Sequence, residues 1–305
     1  MLSDFASPNP GEGSTVPLTL EHAPSGVDSS LWAAGVSGAP AVGDLWLLSW
    51  DGVALELAVI SAVTPSFVLV WPVTLPTAPS FPPAVVAAEN PLGVPLHLWP
   101  TRETGIGLHL LHRRFGSVLT ARTMRLVSDE LDIGESSLLP LAALNVEAAA
   151  IEAASDALVD RWEAICLHTW PARQIEITAL DPRVLGQAGL EVGDLADALG
   201  IALPEAVSIV RGEIAPTAEH LAVLTTRLGV DPEQLLQEEF DAAARLLLSP
   251  SVKDEILQIA QGHGTDEAGA RSLIRSEFAL AARSTGDPQA RLAAAIHRLL
   301  AEDGA

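Results

Sequence analysis

Residues Gly189 to Leu236, GLEVGDLADALGIALPEAVSIVRGEIAPTAEHLAVLTTRLGVDPEQLL, decide the reading of the C-terminal half. Leu195 and Leu199 share one helix face. Gly200 stands where the backbone must leave that helix at a sharp corner, a left-handed position that suits glycine. Ala206 and Ile209, three residues apart, return an apolar face to it. Thr217, after Pro216, reads as the N-cap of a helix with Leu221, Leu224 and Leu228 inward. Asp231-Pro232 opens a last turn, and Leu235 is placed to fill the core.

Outward from this segment, 305 residues are enough for two domains. Apolar residues make up 49% of the chain and mean hydropathy is +0.31, so a packed globule is expected. No apolar run reaches the roughly 18–20 residues of a membrane span. The most apolar stretch, Val53 to Leu75, is interrupted by Glu56, Pro65 and Pro72. The start, MLSDFASPNPGEGST, has no basic or apolar leader character, so a cytoplasmic location is expected. The single cysteine, Cys166, excludes an internal disulfide framework and multi-thiolate metal sites. In AICLHTW it reads as a small buried hydrophobe. The eight histidines lack ligand spacing, and neither a metal nor a cofactor is expected.

The net charge of −22 comes from 39 acidic residues against 17 basic ones, of which only Lys253 is lysine. Such a field repels phosphate backbones and favours basic or neutral partners.

An α+β chain with five segments is expected. Residues 1–41, rich in Ser, Pro and Gly, read as a flexible lead-in. Over 42–128, Leu45 to Trp50 and Val53 to Ile60 flank Asp51-Gly52, the residue pair that a type I′ hairpin turn favours. Further strands at Phe67–Trp71, Pro95–Trp99 and Leu108–Leu111 suggest a small curled β-barrel. In the linking region 129–172, Ile151, Leu158, Trp162 and Ile165 recur at helical spacing. The segment 173–238 contains the helices described above, with 173–180 a short strand or linker. Residues 239–305 form a C-terminal helical extension. There a helix after Thr265 buries Ala270, Leu273, Ile274 and Phe278, and another starts at Asp287-Pro288.

The segment 189–236 resembles helix-turn-helix domains of the Cro/C1-repressor (XRE) family. Gly189-Leu190, Leu195-Ala196, Gly200-Ile201, Ala206 with Ile209, and Leu228-Gly229-Val230 carry the resemblance. It implies that a helix near Leu203 to Arg211 enters the DNA major groove. Ala202, Leu203, Pro204, Glu205 and Ser208 would stand at the base-reading positions, yet none has a side chain suited to bidentate readout. Val192 stands where many members carry a backbone-contacting Gln, and Val210 replaces a usual Glu before Arg211-Gly212. The candidate DNA- or partner-binding residues are therefore Val192, Leu203, Pro204, Glu205, Val207, Ser208, Arg211 and Thr217. From Asp181 to Gln237, nine acids face only Arg183, Arg211 and Arg227, a balance of −6 that disfavours DNA. Arg271, Arg275, Arg283, Arg291 and Arg298 read as solvated faces of amphipathic helices, from which help with DNA could come.

In the N-terminal half, GDLWLLSW, LELAVISAV and VLVWPVT resemble the small barrel of MazF/PemK-type endoribonuclease toxins, with Pro72-Val73-Thr74 as the Pro-x-Thr. The Arg-Pro of that family is missing from Leu55 to Ile60. Thr74 alone cannot cleave RNA, since the reaction needs an acid–base pair and a cation on the phosphate. Arg102, Glu103, His109, His112, Arg113 and Arg114 are the remaining polar candidates, expected on a surface strand edge or loop. No catalytic residue is assigned.

The leading expectation is a DNA-binding XRE-type transcriptional regulator of a toxin–antitoxin or defence operon. The alternative is a protein-interaction or antitoxin-like module, whose partner is another protein or a second copy. A degenerate MazF/PemK-like endoribonuclease is the second alternative. No membrane partner is expected.

Overall fold

The computed structural model describes residues 17–64, 67–134, 136–170, 180–210, 214, 216–231, 235, 238–280 and 287–302. The fold is mixed α+β, a curled antiparallel sheet followed by helices. The chain divides into two units, Met1–His168 with Pro250–Asp254, and Thr169–Ser249 with Glu255–Ala305. No described helix is long and apolar enough to cross a membrane.

The sheet of the first unit contains β1 (Asp44–Trp50), β2 (Val53–Val63), β3 (Phe67–Thr74), β4 (Val85–Ala87), β5 (Leu96–Leu98), β6 (Thr104–Gly107) and β7 (Leu111–Ser117). Its order is β4-β5-β3-β2-β1-β7, with β6 also paired to β3. No β4–β7 pairing is present among the described residues, so these pairings give a half-barrel. The β1–β2 turn has the expected geometry: Asp51 at φ 50° and Gly52 at φ 72°, with Trp50 opposite Val53. Register shifts in the β1–β2, β1–β7 and β2–β3 pairs bend the sheet.

At each end of the strand order a neighbouring segment adds backbone hydrogen bonds, which reduces the open edge. Beside β4, the Val86 amide donates to Pro140 O and the Ala142 amide to Ala84 O, at 2.8 and 2.7 Å. Beside β7, Val36 and Arg114 exchange backbone hydrogen bonds. The 17–41 stretch differs from a mobile lead-in. It carries α1 (Ser29–Ala33) and buries Leu20, Val27 and Trp32 against Leu45, Leu47, Trp71 and Val73. The first 16 residues lie outside the description. Leu108–Leu110 is a 3-10 turn rather than a strand, and β7 starts one residue later. Sequence periodicity also missed α2 (Ala121–Asp132), which is capped by the Thr120 hydroxyl accepting from the Thr123 amide and buries Met124 and Val127. The linking helix is α3 (Ile151–Cys166), with Leu158, Trp162 and Ile165 buried. It packs against β6 within the first unit.

In the second unit, α4 (Pro182–Gln187), α5 (Val192–Leu199), α6 (Leu203–Val210) and α7 (Ala218–Leu228) surround Leu180, Leu195, Ala196, Ala206, Ile209, Leu224 and Leu235. Gly200 terminates α5 at φ 67° and Gly229 terminates α7 at φ 66°. The strand or linker expected at 173–180 falls outside the described residues except for Leu180. The C-terminal helices are α8 (Glu238–Leu247), α9 (Lys253–Gly262), α10 (Glu267–Leu280) and α11 (Pro288–Glu302). α8, α10 and α11 pack together. α10 buries Ala270, Ile274 and Phe278 as the spacing requires, whereas Leu273 faces outward.

Candidate functional site

The eight residues singled out on α5 to α7 divide by burial. Leu203 is 54% exposed, and Pro204 and Glu205 are exposed beside it in the first turn of α6. Val207 and Ser208 are half-buried one turn on. Val192 is half-buried and packs against the unit's core, so it acts partly as a structural residue. Thr217 is exposed, but its hydroxyl accepts from the His220 amide at 3.1 Å while its own amide donates to His220 Nδ1. Its hydroxyl thus serves the capping box of α7. Arg211 lies outside the described residues. Ile214 and Val223, on the chain before α7 and on α7 itself, add exposed apolar surface. Among the described side chains of 180–235, Arg227 is the one exposed guanidinium.

The cations expected to compensate are used elsewhere, which corrects their reading as solvated helix faces. Arg271 and Glu267 are a fully buried pair at 2.6 Å on α10. The Arg271 guanidinium lies 5.1 Å from the Trp170 ring centroid and also donates to the Leu247 carbonyl. Arg275 is buried and lies 6.0 Å from the same ring, and Arg291 is buried 4.3 Å from the Phe278 ring. Ion pairing and aromatic faces are what allow guanidinium groups into a core. Arg298 is exposed but paired with Glu277 at 3.2 Å, and Arg283 lies outside the described residues. Lys253, the only lysine, is buried in the first unit and donates to Ser49 O and His109 O at 3.1 and 2.9 Å.

The polar candidates on the sheet are likewise engaged. His109 and His112 are buried rather than on a surface edge. His109 Nε2 is 2.8 Å from His168 O, and His112 Nε2 is 3.0 Å from Asp254 Oδ1. Desolvation holds the His112 imidazole below its ordinary pKa, with Asp254 opposing that shift. Arg113 donates to Leu20 O, Arg114 grips Asp44 with two hydrogen bonds, Arg102 donates to Ser155 Oγ, and Glu103 accepts from Trp71 Nε1. These contacts hold the fold and do not converge on Thr74.

A different group does meet Thr74. Glu56 of β2 and Arg161 of α3 are paired at 2.9 Å and line, with Thr74 and Thr77, a small cavity of about 80 Å³. Thr74 is buried, and its oxygen accepts from Trp99 Nε1 at 3.1 Å, so its proton is left to donate elsewhere. Burial raises the Glu56 carboxyl above its ordinary pKa, and Arg161 opposes the rise. Sequence inspection passed over both residues because Arg161 lies 87 positions after Thr74 on a different element. No group of three or more His, Cys, Asp or Glu able to hold a metal is present among the described residues. Comparison of the chain with protein-family models finds no match, and comparison with curated proteins finds none.

Proposed function

We propose that residues 180–235 are a helix-turn-helix module of the Cro-repressor type whose α6 face binds a protein. The module serves as the interacting arm of a cytoplasmic regulator or antitoxin-like chain. Support for the module comes from Leu195 and Ala196 meeting Ala206 and Ile209 across the left-handed Gly200. The observation that carries the partner assignment is what α6 exposes: Leu203, Pro204 and Glu205, without an exposed Arg or Lys on the helix. The arginines that could have offset the local −6 balance are buried or paired where they are described. Non-specific DNA affinity depends on neutralising several phosphates, whereas an apolar, acidic face suits an apolar partner segment with basic flanks.

A salt titration on the chain's own upstream DNA separates this reading from a DNA-binding regulator. Little binding is expected even at about 20–50 mM salt, where electrostatic affinity is greatest. Tight low-salt binding that Arg211→Ala weakens would transfer the function to DNA. Capture of the partner should be lost in Leu203→Asp with an unchanged circular-dichroism spectrum.

The cavity supports a second reading for the first unit, phosphodiester cleavage. It brings together a hydroxyl (Thr74), a guanidinium (Arg161) to face a phosphate and a carboxyl (Glu56) as the proton-transfer group. Cleavage of single-stranded RNA that Arg161→Ala and Glu56→Gln each abolish is the expected result on this reading. Its absence leaves the unit without that activity.

A further inference from the structure

We infer that the groove between α3 and the 100–104 edge binds a small organic cation, an apolar or aromatic body bearing one protonated amine. The groove encloses about 580 Å³, within the usual range for small-molecule sites. Pro72, Leu158, Val159 and the buried Trp162 provide its apolar wall. Aromatic and aliphatic walls of this kind hold the body of a ligand, while a few polar groups fix its orientation.

The charges select the sign. Glu103 and Glu163 line the groove from its two sides. The Glu103 carboxylate is oriented by Trp71 Nε1 on Oε1 at 3.2 Å, and its second oxygen has no protein partner among the described residues. The Glu163 carboxylate has no ion-pair partner among the described residues. The one guanidinium on the lining, Arg102, is tied to Ser155 Oγ at 2.8 Å. Two carboxylates against one guanidinium leave a negative lining, in a chain that already carries −22. An ammonium in such a groove gains from the carboxylates while its apolar body packs on the wall.

Cys166, the only cysteine, also lines the groove and is half-buried, so it reports occupancy at this site alone. The probes are tryptamine, tryptophol and indole-3-acetate, which share a ring and differ in the charge of the tail. The full chain is titrated calorimetrically with each, and the rate of Cys166 alkylation by iodoacetamide is followed in parallel. Tryptamine should bind and slow alkylation, tryptophol should bind at least about tenfold more weakly, and indole-3-acetate should not compete. Glu163→Gln, an exposed substitution, should weaken tryptamine by about tenfold, a loss of about 1.4 kcal/mol. Equal binding of tryptamine and tryptophol would reduce the site to an apolar cleft and overturn the inference. So would preferential binding of indole-3-acetate, or tryptamine at several millimolar leaving both heat and alkylation unchanged.

Discussion

Arg271 donates from Nη2 to Glu267 Oε1 at 2.6 Å, one helical turn away on α10, and neither side chain has any solvent exposure. A guanidinium sealed in this way cannot reach a phosphate. Arg271 therefore contributes to a core, and the acidic α5–α7 segment gains no phosphate contact from it.

Removing one partner of this pair strands a buried charge. Glu267→Gln should lower unfolding free energy by about 3–5 kcal/mol in urea titrations at neutral pH. Replacing both residues by methionine should restore most of that loss, because no uncompensated charge remains. A double variant as unstable as Glu267→Gln would mean that the Arg271 bond to the Leu247 carbonyl, rather than the ion pair, dominates.

Gly43 is constrained twice. Its φ of 89° is unfavourable for other residues, and an added Cβ would fall 1.8 Å from the Leu119 carbonyl oxygen. Gly43→Ala should cost about 3 kcal/mol, because backbone strain and a backbone clash coincide. Gly52→Ala, with φ 72° but open space around it, should cost about 1–2 kcal/mol. Thermal unfolding of the two variants side by side tests the ranking.

Glu56 gives a pH dependence with a definite sign. Its folded pKa is raised above 4.5, mainly by burial, so the folded state holds this proton more tightly than the unfolded state does. Stability from this group is present below about 4.5 and is lost as pH rises through the folded value. Relative to Glu56→Gln, the wild type should therefore be favoured at pH 4 and lose ground toward pH 7. Urea midpoints of both proteins across that interval measure the difference, and a parallel pair of curves would contradict the assignment.

Thr74 supports Trp99 whatever else it does. Thr74→Val leaves the buried indole Nε1 without its acceptor and should cost about 1–3 kcal/mol, while Thr74→Ser should stay close to wild type. Equal stability of the valine and serine variants would show that this hydrogen bond contributes little.

Local pattern determined much of this protein. Asp51-Gly52 specified the hairpin turn, because only a few residue pairs accept positive φ at both positions. Gly200, Thr217 and Asp287 marked helix ends through backbone conformation or capping. The apolar spacing of Leu195, Ala206, Ile209 and Leu224 identified the core of α5 to α7, since a 3.6-residue period is a property of the chain itself. Leu203 sits three residues before Ala206, at the spacing of the same stripe, yet it is exposed in the first turn of α6, which the period alone does not announce.

Other features depended on partners distant in sequence. Leu20, Val27 and Trp32 sit in a stretch without periodicity, and only the sheet they cover makes them core. Arg271, Arg275 and Arg291 carry helical-face spacing that suits solvent equally well. Glu267 and the rings of Trp170 and Phe278 are what draw them inside. The Glu56–Arg161–Thr74 cavity and the groove beside Cys166 each join α3 to strands or turns many residues earlier. A sequence announces caps, turns and faces because these are local energies. Which charge is buried, and which polar groups share a cavity, is decided within each unit when distant elements pack and desolvate what lies between them. These elements are the sheet with α3 in the first unit and α8, α10 and α11 in the second.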